Sequence, residues 1–362
     1  LIEFEPTEEQ QLIVDTVRQF AANEIRPHAH DAAEARKLPA SVLEQAHELG
    51  LVALGLDEAH GGGGDRSAVT GALIAEELAY GDLAIALAIL SPSLTGLPVS
   101  EFGTEAQKAE ILPALVGPTF RAGSLALVEP DLRFDPFRPA TRATRVGGDY
   151  ELSGRKCFVP WLDSGDQVLV MAMEGDGPQA FLVSRNAPGL SATAERNLGL
   201  DALPTVELEL DNVRVPASAR LGGETGCDAR SIVDRGRIAL AATAVGVARA
   251  AFEIARDYAK QREAFGAPIA TKQAIAFKIA DMAIEIDAAR LLVWEAAWLL
   301  DNGAKATREA VLASRQAAQV ALVVTDGAVQ VLGGYGYIRD YLPEMLHRNA
   351  CGFTNFETLT LI

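Results

Sequence analysis

Three places in the chain combine residue types that can do chemistry. In "AVQVLGGYGYIRDYLPEMLHRNA" (328–350) the pair Gly333-Gly334 follows an amphipathic run and precedes two tyrosines. Glycine after such a run ordinarily supplies a left-handed helix cap. The same bare backbone can also let a ligand lie against its N–H groups. Arg262 in "YAKQREAFG" offers a rigid, always charged fork suited to phosphate. Taken alone, it is a solvated charge on a helix end. Glu357 in "TNFETLTLI" is a carboxylate near the chain end, where such residues are usually surface groups. Other signals are weaker. Gly61 to Gly64 lack a GxxxxGK[ST] pattern and a feeding strand, so they form no phosphate loop. His60 is a metal ligand by residue type only, and no metal site is expected. Cys157, Cys227 and Cys351 lie far apart without a CxxC, which points to a reducing compartment and neither zinc nor a disulfide framework.

The elements that must position these residues fall into three segments. Residues 1–117 read as helices, with a capping box at Thr7 and Gln10 and a continuous helical run "AVTGALIAEELAYGDLAIALAIL". Residues 118–222 change to short alternating runs broken by Gly, Pro, Asn and Asp, the pattern of a β-sandwich or barrel. Residues 223–362 return to long, alanine-rich amphipathic helices with short connections, the pattern of an antiparallel bundle. Met282, Trp294 and Trp298 are expected in its core. A net charge of −17 excludes a nucleic-acid or anionic-membrane surface, each of which needs a basic stripe. A small anionic ligand needs only a few arginines and stays open. Apolar stretches such as "LAIALAIL" are too short to span a bilayer, and the acidic start lacks a signal-peptide layout. The expectation is a soluble, cytoplasmic protein.

Four stretches resemble the acyl-CoA dehydrogenase family in order and spacing: "EFGTEAQKAEILPAL" (101–115), "LALVEPDLRFD" (125–135), "YAKQREAFGAPIATKQAIAFKIADM" (258–282) and "QVLGGYGYIRDYLPEMLHRNA" (330–350). The resemblance covers essentially the whole chain. It implies an α+β fold with an N-terminal helical domain (1–117), a middle β-barrel or sandwich domain (118–222) and a C-terminal four-helix bundle (223–362). It also implies FAD as cofactor, an acyl-CoA substrate, and an electron-transfer flavoprotein as acceptor. By this register Arg262 pairs with the pyrophosphate of a neighbouring subunit's FAD, with Phe265 beside it and Gln273, Gln330, Gly333 and Gly334 along the dinucleotide. Leu125, Leu127, Val128, Phe158, Val159, Pro160 and Leu359 take the places that hold the flavin within the subunit. The family's base lies 27 residues beyond the position of Gln330, at Glu357; an alternative slot used by some relatives is here Gly236. Phe134, Asp234 and Arg237 fall in the acyl-CoA pocket, or Arg237 pairs within the bundle.

Several of these positions depart from the family pattern. Val128, Pro160 and Leu359 replace hydroxyl residues that contact the flavin, and Phe134 replaces a serine near the substrate. The positions donated across the subunit interface are intact. That asymmetry suits a heterotetramer, but Glu357 serves the flavin of its own subunit, so a homotetramer is expected with the heterotetramer as the alternative. The rival activities are a dehydrogenase for carrier-bound or unusual acyl groups and a non-catalytic partner subunit.

Overall fold

The computed structural model describes residues 5–362. The first helix, α1 (Glu8–Phe20), starts at the expected capping box, in which Thr7 and Gln10 exchange backbone and side-chain bonds. A five-residue π turn (Ala21–Ile25) joins it to α2 (Arg26–Ala35), followed by α3 (Ala40–Glu48). The single helix expected after residue 67 is two, α4 (Ala68–Gly81) and α5 (Leu83–Leu90). The break falls at Asp82, whose extended backbone lets its carboxylate accept the Ile85 N–H as an N-cap. Then come α6 (Ser93–Phe102) and α7 (Glu105–Leu115), the latter with a second capping box at Thr104 and Gln107.

A seven-stranded sheet follows, built from β1 (Leu125–Ala126), β2 (Arg142–Val146), β3 (Asp149–Pro160), β4 (Gln167–Glu174), β5 (Gly177–Ser184), β6 (Leu190–Ala194) and β7 (Thr205–Pro216). Its order is β1-β4-β2-β3-β7-β6, with β5 paired to β4. Alternating burial along β3 and β7 produces one core-facing side. The long helices are α8 (Ala229–Gln261), α9 (Gln273–Asp301) and α10 (Thr307–Leu332). A small hairpin, β8 (Glu263–Ala264) and β9 (Ala267–Pro268), links α8 to α9. The short α11 (Gly334–Tyr337) and α12 (Leu342–Cys351) complete the helical part, with α12 packed on α10 and α8.

The largest core cluster runs without interruption from α4 and α5 into α8, α9 and α10. Met282 is buried there, whereas Trp294 and Trp298 are half-buried, a departure from the expected core positions. Two stretches, Leu83–Phe102 and Ala229–Gln261, are long and apolar enough to cross a membrane by length and composition. This corrects the reading that all apolar runs are too short. Both are mostly buried in the core, the first as the consecutive helices α5 and α6 and the second as α8.

Helices α4 and α8 meet at backbone contact. A Cβ at Gly246 would lie 2.2 Å from the Glu76 carbonyl oxygen, so no larger residue fits without a shift. At this crossing Arg249 donates to both Glu77 oxygens (2.8 and 2.5 Å) and to Glu76 (3.1 Å). Arg290 from α9 also binds Glu76, at 2.9 Å, and Arg18 from α1 binds Glu77 at 2.8 Å. Burial pushes the Glu77 carboxyl up, but Arg249 and Arg18 outweigh it and hold the group below its usual range. Arg249→Met leaves two buried carboxylates short of a donor. It should lower unfolding free energy by about 3 kcal/mol in a denaturant titration.

Candidate active site

A cleft of about 900 Å³ opens between the sheet domain and the C-terminal helices. One wall carries Val128, Phe134, Cys157 and Phe158; α10 contributes Val311, Ser314, Arg315, Ala318 and Gln319; the segment 353–357 closes the third side. Glu357 stands on this cleft, half-buried. The Arg237 Nε–H donates to its Oε1 at 2.5 Å, and a second guanidinium nitrogen reaches the same oxygen. Oε2 has no hydrogen bond among the described residues. Arg237 in turn lies over the Phe137 ring, 5.7 Å from its centroid. The reading that Arg237 pairs within the bundle thus has a specific partner, the carboxylate itself.

Gly236 explains how the Glu357 segment fits so closely against α8. A Cβ there would lie 2.4 Å from the Thr358 methyl and 2.9 Å from Thr358 Cβ. Thr358, Leu359, Thr360 and Leu361 are buried beyond it. Any side chain in that slot would collide with the side chain of Thr358, the residue next to Glu357.

The opposite wall is set by a local irregularity in β3. Its register with β7 shifts between Lys156 and Val159, a bulge, and Phe158 takes φ +55°. For a bulky residue that conformation is strained and needs support. The Phe158 N–H donates to both oxygens of Glu195, each at 3.1 Å. Its ring meets Phe356 edge to face at 5.7 Å, and Phe356 meets Phe353 at 6.4 Å.

Of the positions expected on this cleft, Val128, Phe134, Phe158, Arg237 and Glu357 line it. The side chains of Leu125, Leu127, Val159 and Pro160 are buried away from it, so any ligand contact there must come from backbone. The Pro160 carbonyl already accepts the Ser124 hydroxyl at 2.6 Å. Leu359 packs in the main core. Asp234 does not face the cleft: it is buried, and its Oδ2 accepts the Thr307 hydroxyl at 2.5 Å. A hydroxyl donor on the neighbouring helix, which spacing along α8 does not reveal, engages that one oxygen, while Oδ1 is buried without a partner among the described residues.

A second cleft, of about 370 Å³, holds Arg262, Gly333 and Gly334 together with Tyr258 and Tyr335. The two clefts share no lining residue. Gly333 has φ 60° and ψ −127° and its N–H closes α10 on Val329 and Gln330. No atom lies within 4 Å of a Cβ added at Gly333 or Gly334, so the pair presents open backbone as well as a helix stop. Arg262, Gln273 and Gln330 are exposed, and Arg262 has no side-chain partner among the described residues. Phe265, at 97% exposure, projects from the hairpin turn. An unpaired guanidinium beside bare glycine backbone suits the phosphates of a flavin dinucleotide, and the aromatic side chains on the wall of the larger cleft suit its ring.

Three family models cover the chain: "Acyl-CoA dehydrogenase, N-terminal domain" over residues 7–117, "middle domain" over 124–213 and "C-terminal domain" over 228–357. The chain belongs to the acyl-CoA dehydrogenase family. It is 38% identical over 358 residues to a Bacillus subtilis (strain 168) protein named "Probable acyl-CoA dehydrogenase YngJ", covering 96% of this chain and 93% of that one. The structure of butyryl-CoA dehydrogenase from Megasphaera elsdenii superposes with a TM-score of 0.89 and 33% identity, covering 99% and 96% of the two chains. A structure described under an electron transferring flavoprotein of Acidaminococcus fermentans gives the same score, identity and coverage. A glutaryl-CoA dehydrogenase from Mycobacterium smegmatis in complex with FADH2 also scores 0.89, at 30% identity over 98% and 92%. Members of this family are FAD-dependent oxidoreductases.

Sequence reasoning passed over Phe356, Glu195, Glu129 and Lys156. The last two were legible only as a charged residue in "LVEP" and a lysine at an inward position of β3. Gly236→Ala should destabilise the fold by about 1–3 kcal/mol, because the short Thr358 side chain cannot swing clear. Comparing denaturant midpoints of the two proteins checks this, and an unchanged midpoint would mean that the 357–362 segment moves freely.

Proposed function

We propose that the chain removes two hydrogens from the Cα–Cβ bond of an acyl-CoA thioester, with Glu357 as the base that takes the α-proton. The carrying observation is the placement of Glu357. It is a half-buried carboxylate on the cleft, with one oxygen fixed by Arg237 and the other unengaged among the described residues. That arrangement orients a free lone pair toward the cleft, as a general base requires. The backbone N–H of Glu357 also has no partner among the described residues, which suits it to donate to the thioester oxygen as negative charge develops there. Phe134 and Phe356 supply apolar surface that excludes water from an acyl group. Bound FAD supplies the acceptor for the β-hydride.

Val128 and Phe158 would meet the flavin inside the subunit, helped by backbone at Leu125, Leu127, Val159 and Pro160. Arg262, Phe265, Gln273, Gln330, Gly333 and Gly334 would serve the FAD of a second copy. Their separation from the Glu357 cleft supports that division. So does the uncovered apolar face of α9, where Phe277 and Ile284 are more than half exposed. We place the enzyme in a cytoplasmic homotetramer that passes electrons to an electron-transfer flavoprotein, a partner named for one of the similar structures.

Glu357→Gln should retain bound flavin while turnover falls by several orders of magnitude. Activity above about a tenth of wild type, under roughly 1.4 kcal/mol of lost transition-state stabilisation, would rule out Glu357 as the base. Arg262→Ala removes a charge-assisted phosphate contact of about 1.5–3 kcal/mol. FAD titration of the apoprotein should show a dissociation constant about 10-fold to 150-fold weaker.

A further inference from the structure

Lys156 is fully buried, yet it lies next to cleft-lining residues. Its ammonium donates to the Leu127 carbonyl at 3.0 Å and to Glu129 Oε1 at 2.9 Å. The same Oε1 accepts the Thr141 N–H (2.9 Å) and hydroxyl (2.6 Å), and Oε2 accepts the Ala140 N–H at 2.6 Å. One ion pair therefore ties together the 127–129 segment, the 140–141 segment and β3. The Val128 carbonyl adds a tie by accepting the Cys157 N–H at 2.9 Å. Val128, Glu129, Cys157 and Phe158, the residues next to these bonds, all line the Glu357 cleft. Closest to the pair, Gly154 has no room for a side chain: a Cβ would lie 2.5 Å from the Thr141 hydroxyl.

We infer that Lys156 and Glu129 form a positioning pair for FAD, fixing the cleft wall at residues 127–129 and 157–158 and setting the local charge that the bound flavin meets. The inference rests on the reading of this cleft as the flavin site. Burial draws the Lys156 ammonium down to about 8, against the pull of Glu129. Burial likewise pushes the Glu129 carboxyl up, but Lys156 and Thr141 outweigh it and keep it below the usual carboxylate range. Both groups are therefore charged near neutral pH, and water does not screen them. Reducing the flavin adds negative charge, so the two members of the pair act on it with opposite sign. Lys156 favours the reduced form, and Glu129 disfavours it.

The test uses FAD-loaded enzyme, with the bound flavin reduced in equilibrium with a reference redox dye. Lys156→Met should lower the flavin's reduction constant about threefold or more, and Glu129→Gln should raise it by a similar factor. A purely structural pair would lower stability in both variants without shifting reduction in opposite directions. Shifts of the same sign, or none, overturn the inference while leaving the flavin site intact. If Lys156→Met yields no folded protein, Glu129→Gln decides alone, and an unchanged or lowered reduction constant overturns it. Wild-type chain that binds no FAD overturns the reading of the cleft and this inference with it.

Discussion

The crossing of α4 and α8 governs the rest of the molecule. Two glutamates on α4 are taken out of water, and arginines from α1, α8 and α9 converge on them as hydrogen-bond donors. Four helices from both ends of the chain are thereby fixed in register, and glycine at position 246 lets the two central ones touch. Helix α8 then carries the site: Gly236 receives the Thr358 segment and Arg237 receives Glu357. The sheet domain is held to the same frame further along. Asn349 on α12 accepts the Leu200 N–H, and Arg348 binds Asp201, so the wall bearing Phe158 and the segment bearing Glu357 refer to one scaffold.

Much of the fold was legible because local signals agreed with one another. The capping box at Thr7 is a sequence pattern with a local mechanism, and the helical spacing after it left little alternative. The break at Asp82 was not legible, because the apolar run continues through it and only a buried capping carboxylate interrupts the backbone. Glu357 was found by register with Gln330, since nothing in its own neighbours distinguishes it from a surface glutamate. The Lys156–Glu129 pair was missed because a buried lysine depends on a partner 27 positions away, and period-two alternation says nothing about which partner.

The altered motif positions take on a different meaning once placed. Val128 still faces the cleft, but Pro160 and Leu359 are turned into packing, with Leu359 in the main core and the Pro160 carbonyl bonded to Ser124. The side chains at 160 and 359 therefore point away from the cleft. Asp234 is likewise turned into the helical layer, where Thr307 donates to its Oδ2.

The left-handed backbone at Phe158 limits what evolution or a designer can put there. Glycine relieves the strain of a positive φ but deletes the ring that meets Phe356. Valine and isoleucine would restore apolar bulk, but they tolerate that backbone least of all. Asparagine and histidine accept it more readily than other side chains, though each brings a polar edge to an apolar wall. Position 158 is thus caught between conformational and chemical demands that few residues meet together. Broad changes in the shape of this wall would have to begin with the bulge itself, by restoring regular pairing of β3 with β7 and freeing the Glu195 carboxylate.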